Sequence, residues 1–479
     1  MAARVRRNVF DLGERSPELE WYGKAVADLM ARPLDDPTGW RYRGAVHGRM
    51  DPADDPFATP ADRDPADKDV YWDQCQHQTW FFLPWHRGYL AAFEANVARS
   101  IERLGGPKDW ALPYWNYSTD AASRIMPRDF FEEKRPDGSA NPLWNPWTRH
   151  SDGNSGFSNR DVSIECLTHA IFAGTNDGGE TGFAGPVSGF EHFGQLQGLP
   201  SGRVEEAPHN QVHGRLGGLM GDPNFAALDP IFWLHHANID RLWEVWRKTW
   251  PQSATPTDPN WLNRTTFDMH DGAGQPFKFT AGEMLDTTKV LHGYTYDRIE
   301  VPAHVTPDHR LAAAAFGMTT PRRPGRAELA GANEEHLSLA GGTATTRLSV
   351  RPPPQRLGLG LTASAPLRAY LNLEQITGQG MPGNYEVFVQ TTGHEPVLAG
   401  QISTFGIEKA SRADGGHGGN GLSRVLDITS LVVPLGLDRG GDINLQVTIR
   451  KIAERPGLLA LRDTSGDSMR VGRVSLYFA

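Results

Sequence analysis

Two apolar periods divide this chain. Up to about residue 300, apolar positions recur at helical spacing: in FLPWHRGYLAAFEANVARSIERLGG they are Phe93, Ala95, Val97 and Ile101. Pro84 marks the predicted start of that helix, and Gly105-Gly106-Pro107 stop it. A second helix is predicted through DPIFWLHHANIDRLWEVWRKTW, ending before Pro251, and a shorter third one opens near Pro208. The stretch from about 118 to 163, with Pro, Gly, Asn and scattered Trp, reads as loop. Toward the carboxy terminus the period falls to two. Leu367, Ala369, Leu371 and Leu373 alternate with polar positions. So do Tyr385, Val387 and Val389, then Ile443, Leu445, Val447 and Ile449, and finally Val474, Leu476 and Phe478. The expected architecture is a mainly α domain over 1–300 and a smaller antiparallel β-sandwich over 356–479. Residues 301–355, rich in Ala, Pro, Gly, Arg and Thr, are expected to be the linker between them. The glycine run Gly415 to Gly421 lacks the Lys-Ser/Thr of a phosphate loop and reads as a loop tip.

Composition narrows the function. With 479 residues the chain can bury a large core, and a net charge of −9 gives no basic footprint for nucleic acid or an anionic membrane. No apolar run approaches the ~18 residues a membrane span needs. The opening MAARVRRNVFDL is positive but has no apolar stretch, so no secretory signal is read there. Two cysteines cannot build a disulfide framework, which favours a reducing compartment. A cytoplasmic location is the expectation, with export alongside a helper protein left open.

The 17 histidines become informative by position. One cluster is His47 in RYRGAVHG with His77 and His86 in CQHQTWFFLPWHRGYLAAFE. The other is His209 and His213 in PHNQVHG with His235 and His236 in DPIFWLHHANIDRLW. His209 and His213 are four apart and share a face of a helix opening at Pro208; alone, such a pair is as readily a surface feature. His77 and His86 would lie on opposite faces of one helix, so His77 is placed on the loop before Pro84. His235 and His236 differ by ~100° around the axis, so one of them faces any shared site. Imidazoles in two groups, without an accompanying carboxylate or thiolate set, favour Cu, Zn, Fe or Ni over Mg or Ca.

At these residues the sequence resembles the tyrosinase family of binuclear type 3 copper proteins, also called polyphenol oxidases. Cys75-Gln76-His77, FFLPWHRGYLAAFE, PHNQVHG and DPIFWLHHANIDRLW carry the resemblance. Gly293-Tyr294-Thr295-Tyr296 is similar to the family's aromatic mark near the end of its catalytic domain, and VRRNVFDL to its opening, where an arginine packs against that mark. The resemblance spans about residues 1–300 and, more loosely, the tail. It implies that His47, His77 and His86 hold one copper ion, that His209, His213 and His236 hold the other, and that His235 is a neighbour rather than a ligand. It implies O2 as co-substrate, ortho-hydroxylation of small monophenols and oxidation of o-diphenols to o-quinones, and a copper-delivery partner. Oligomeric state is not readable.

The resemblance also implies a thioether between Cys75 and the His77 ring; a free buried thiol or a disulfide to Cys166 are the alternatives. Glu205 and Asn210 match the pair that, in plant-type relatives, holds a water accepting the phenol proton. A phenol of pKa near 10 needs such help at neutral pH. Glu205 could equally be a helix-start carboxylate, and Glu206 competes for the same assignment. Gly214 is expected to leave room over the second metal, or simply to allow close packing. Asp240, four after His236, is a candidate hydrogen-bond partner of a histidine, or else a surface group with Arg241. A tail domain in this family often covers the pocket with a side chain, for which Phe405 is the candidate here. The competing functions are a catechol or o-aminophenol oxidase lacking monophenol hydroxylation, a haemocyanin-like O2 carrier, and a zinc hydrolase. A single metal unit argues against the carrier, and the lack of an HExxH motif against the hydrolase.

Overall fold

A computed structural model describes residues 4–49, 55–147, 152–188, 198–251, 253, 256–303, 326–353, 367–380, 383–414, 417–453 and 468–479. The first part of the chain is a helical body around α1 (Pro17–Met30), α2 (Trp40–His47), α3 (Phe82–Arg103), α4 (Gln211–Leu216) and α5 (Pro230–Thr249). Helix α3 is buried at every position from Phe82 to Ala98, so it runs through the core rather than over it. It begins two residues before Pro84, which therefore sits in its first turn, and it frays at Leu104 before Gly105 in the left-handed region (φ 85°). Helix α5 is stopped and started as its sequence dictates. The Asp229 side chain accepts from the Ile231 N–H, Pro230 takes the first position, and the helix ends two residues before Pro251. Among the described residues no helix is long and apolar enough to cross a membrane.

Two distant tyrosines tie the ends of this body together. Strand β1 (Arg4–Arg6) pairs in parallel with β2 (Tyr294–Tyr296), Arg4 opposite Tyr294 and Arg6 opposite Tyr296. The Arg6 guanidinium lies 3.5 Å over the Tyr294 ring, donates to Glu94 and to the Tyr296 hydroxyl, and is fully buried.

The second part is an antiparallel sandwich with its own core. Its strands are β3 (Glu328–Ala332), β4 (Leu337–Ser338), β5 (Thr343–Val350), β6 (Ala369–Gln379), β7 (Asn384–Thr391), β8 (Val397–Ser403), β9 (Leu422–Asp427), β10 (Ile443–Lys451) and β11 (Ser468–Phe478). One sheet runs β9-β6-β11-β3 with β4 also on β11; the other runs β8-β7-β10-β5. Leu371, Val387, Val447, Leu476 and their neighbours pack between the sheets.

Two sequence expectations change. The linker read over 301–355 is too long: residues 304–325 and 354–355 lie outside the described residues, but β3, β4 and β5 are already part of the sandwich. Its composition hides them, because β5 fully buries only Leu348 and Val350 and shows Thr343, Thr345, Arg347 and Ser349 to solvent. In β6 the alternation fails for a different reason. Residues Ala369 to Leu373 are all buried, because Leu371 and Leu373 face the sandwich core while Tyr370 and Asn372 face the helical body. Of the glycine run, residues 415–416 lie outside the described residues; His417–Gly418 pair with Ala413–Asp414 as a short hairpin.

Candidate metal centre

Seven histidines converge where α2, α3, α4 and α5 meet. His47 ends α2, His77 lies on the loop before α3, and His86 is one turn into α3. Their ligand atoms, with Cys75 Sγ, lie within 4.8 Å of one another. The second group, His209, His213, His235 and His236, meets the same limit. The two groups adjoin: the His86 and His236 rings stack at 4.5 Å and 9°. The chain reaches His209 through a broken turn, Glu205–Asn210, in which Ala207 is extended (φ −146°, ψ 131°), and α4 then carries His213.

The rings are held by their rear nitrogens. His47 Nδ1–H donates to the Pro223 carbonyl at 2.8 Å, His86 Nδ1–H to Phe82 at 2.8 Å, and His213 Nδ1–H to Met220 at 2.6 Å. His209 Nδ1–H donates to Asn210 Oδ1 at 2.9 Å. These bonds fix each tautomer with Nε2 free as the donor atom. His213 and His236 turn their Nε2 atoms toward each other at 3.4 Å, and Nε2 of His47 and His209 is buried without a hydrogen-bond partner. Burial holds all seven imidazoles well below their usual pKa, His86 and His213 at about 3, so they are neutral at pH 7. Neutral, buried, orphaned nitrogens in two adjacent groups fit a pair of metal ions with nitrogen-preferring chemistry. His235 belongs to the second group as well; its Nδ1 meets the Tyr117 hydroxyl at 3.0 Å.

Cys75 Sγ lies 3.4 Å from Nδ1 and 3.7 Å from Nε2 of His77, which places it beside the carbon between them, and 3.3 Å from Nε2 of His86. Cys75 and Cys166 are both buried and are not joined to each other.

Glu205 and Glu206 turn opposite ways. Both oxygens of Glu205 accept from the backbone N–H of Gln78, at 3.0 and 2.9 Å, beside His77. Gln78 takes a left-handed φ of 60° to present that N–H, a local strain at the rim of the histidines. Burial pushes the Glu205 carboxyl up to about 8, with the Gln78 bond opposing. Glu206 instead faces the sandwich, 3.1 Å from the guanidinium of buried Arg424. Asn210 has both ends of its amide engaged, with His209 and with Ser201 Oγ (3.2 Å).

Two expectations fail here. Asp240 does not bond a histidine. It accepts from Arg87 (2.5 Å) and from the hydroxyls of Tyr294 and Tyr296 (2.6 Å each), with Arg6 at 3.4 Å. Helical spacing puts Asp240 near His236, but two buried guanidiniums from elsewhere in the chain claim it. Gly214 does not open a space in this structure; close packing, the other role expected of it, is what it provides. A Cβ there would stand 2.0 Å from Asn384 Oδ1 and 2.6 Å from Ser403 Oγ, both in the sandwich domain.

The sandwich reaches the histidines at one point. After β8 the chain delivers Phe405, whose ring stacks on His213 at 4.1 Å and 17° and lies 5.7 Å from His77 and 5.8 Å from His209. Gly406, at φ 80°, then turns the chain into α6 (Ile407–Ser411). Lys409 on α6, 8 % exposed, pairs with Asp73 at 3.1 Å. Asn384 donates to the Gln211 carbonyl and Oε1 on α4. None of Lys409, Arg424 or Asn384 carries a local sequence signal, because each acts across the domain boundary.

Residues 37–249 match the family model described as the common central domain of tyrosinase, and 326–479 match a domain of unknown function, DUF7868. The chain is 34 % identical to a tyrosinase of Hahella sp. (strain CCB-MM4), over 99 % of both chains. It is 29 % identical to chloroplastic polyphenol oxidase E of Solanum lycopersicum, over 47 % of this chain and 39 % of that protein. Among solved structures, latent apple tyrosinase shares the fold over 100 % of this chain and 98 % of its own, with a TM-score of 0.62 at 20 % identity. Latent aurone synthase does so over 100 % and 89 %, with a TM-score of 0.60 at 18 % identity. The histidine geometry and a relationship that runs the length of the chain converge on one conclusion: this protein belongs to the tyrosinase family of copper oxidoreductases.

Proposed function

We propose that this protein is a tyrosinase-like oxidase that uses O2 at a two-copper centre to ortho-hydroxylate monophenols and oxidise o-diphenols to o-quinones, and that its sandwich domain keeps it latent. The observation that carries the reading is the Phe405 ring stacked on His213. The pocket over the histidines takes a flat aromatic ring, and the chain fills it with its own. His47, His77 and His86 would hold one copper, and His209, His213 and His236 the other. When bound, the copper pair supplies activation of O2 and the two-electron oxidation of the substrate.

The protein residues do the rest. His213 offers the face on which a phenol ring stacks. Phe82, Phe232 and Trp85 pack around the histidines and exclude water, which protects a reactive centre. Burial makes Glu205 a stronger base than a free carboxylate, and in its deprotonated form it would take the phenol proton at Oε1 or Oε2. Cys75 Sγ would close a thioether on the ring carbon between the nitrogens of His77, a two-electron oxidation that loses the thiol and ring hydrogens and for which O2 would be the oxidant. That bond would fix a ring borne on a loop rather than a helix.

One observation favours a narrower activity. Asn210 turns its amide oxygen to His209 and its amide nitrogen to Ser201 and Glu206 rather than to Glu205, and a catechol or o-aminophenol oxidase without monophenol hydroxylation is the second reading. Copper-loaded protein assayed side by side with a monophenol and its catechol decides between them: quinone from both supports the tyrosinase reading, and quinone from the catechol alone supports the second.

A further inference from the structure

The sandwich domain brings two cations to the pocket mouth, and both sit on carboxylates of the helical body. Lys409 is on Asp73 and Arg424 is on Glu206. The other charges at this face have partners within the helical body: Arg49 turns its guanidinium to Asp64 and the Trp72 ring, Arg203 pairs with Glu180, and Arg215 lies by Asp161. Arg203 and Glu180 also meet one sandwich charge of each sign, Asp427 at 3.6 Å and Arg368 at 3.8 Å, so withdrawing the sandwich leaves that group balanced. Asp73 Oδ1 also accepts from the backbone N–H of Arg49 at 2.7 Å, and among the described residues Lys409 is the side-chain cation paired with it. Once the plug is out, Asp73 and Glu206 leave the mouth with excess negative charge.

The plug itself shows what this mouth accepts. Phe405 puts an aromatic ring on His213, and four residues later Lys409 puts an ammonium on Asp73. Ring and ammonium arrive from one short segment, as they would from one small molecule.

We propose that Asp73 is a specificity-determining residue that selects phenols carrying a cationic amine over phenols carrying a carboxylate, and that Phe405 with Lys409 occupies the site as an internal mimic of such an aromatic amine. This rests on the phenol-oxidase reading above. An ammonium replacing Lys409 recovers the ion pair, whereas a carboxylate in that place meets like charge. The proposal concerns substrate choice only. Asp73 does not reach the reacting ring.

The test uses the full chain, copper-loaded, opened by Phe405→Gly and Lys409→Ala together. kcat/KM is measured for tyramine, para-hydroxyphenylpropionate and neutral para-ethylphenol, each also as its catechol. The amine is expected to exceed the carboxylate by about tenfold at low ionic strength. Adding Asp73→Asn is expected to bring that ratio toward one. Raising the salt in the opened chain without Asp73→Asn should shrink it too, a readout that does not depend on the third substitution folding well. Turnover of the neutral compound with an amine-to-carboxylate ratio near one, insensitive to salt, overturns the proposal and leaves the oxidase reading standing. Inertness toward neutral para-ethylphenol and its catechol overturns the oxidase reading, and the proposal with it.

Discussion

Replacing Phe405 by alanine should convert a latent enzyme into an active one. The side chain is 6 % exposed and its ring lies on His213 at 4.1 Å, where a substrate ring has to go. A substrate therefore competes with the burial of a phenylalanine, worth about 2–3 kcal/mol. At about 1.4 kcal/mol per factor of ten, that lowers the population of open pocket by about 30- to 150-fold. Phe405→Ala removes the competitor while Asn384, Arg424 and Lys409 still dock the sandwich, so kcat/KM should rise by about that factor. The gain should appear mainly in KM, because the plug opposes binding rather than chemistry. The assay is initial quinone formation from a catechol across a substrate series, with copper content matched between the two proteins. An unchanged kcat/KM at equal copper content would refute the plug, whatever the stability of the variant.

Four further outcomes follow from the same geometry. Glu205→Gln should lower monophenol turnover by about 100-fold, within the usual range for a lost general base, and spare catechol turnover; equal losses on both substrates would remove the base role. Because burial raises the Glu205 pKa from 4.5 to about 8, the folded state holds a proton that the unfolded chain has released. Its contribution to stability is therefore full below pH 4.5 and is lost as pH rises through 8, a slope that Tm measurements on Glu205→Gln should show flattened. Asp240→Asn leaves Arg6 and Arg87 buried with one carboxylate fewer and should cost about 3 kcal/mol in denaturant unfolding, although no histidine loses a partner. Stripping the metal with a strong chelator should lower Tm by about 5–10 °C, since metal in thousandfold excess over its Kd adds about 4 kcal/mol to the folded state.

The histidine sites were legible because their spacing is local: His209 and His213 ride one turn of helix, and Pro84 separates His77 from His86. Elements with sharp end signals, such as Asp229-Pro230 at the start of α5, were legible for the same reason. What escaped depends on contacts between distant parts of the chain. Asp240 has the right helical phase for a histidine, yet Arg6 lies 234 residues away and takes it. Gly214 looks like open space over a metal until Asn384 arrives from another domain. Glu205 and Glu206 are adjacent, and the extended Ala207 that breaks the turn beside them has no signature strong enough to say which faces the metals. The carboxy-terminal bound of the linker is hidden in the sequence because an edge strand such as β5, with mostly small polar residues outward, is close to linker composition. Phe405 could be picked from the tail only as a guess, since nothing local distinguishes it from other aromatic residues near a strand end.

The central claim is that two groups of histidines make one oxygen-using copper centre, closed by the chain itself. Oxygen uptake by the copper-loaded Phe405→Ala chain, measured with catechol as substrate and with copper counted per chain, tests it most directly. The account predicts two copper ions per chain and oxygen consumption coupled to quinone formation, faster than in the unsubstituted chain; two bound copper ions with no oxygen consumed would contradict it.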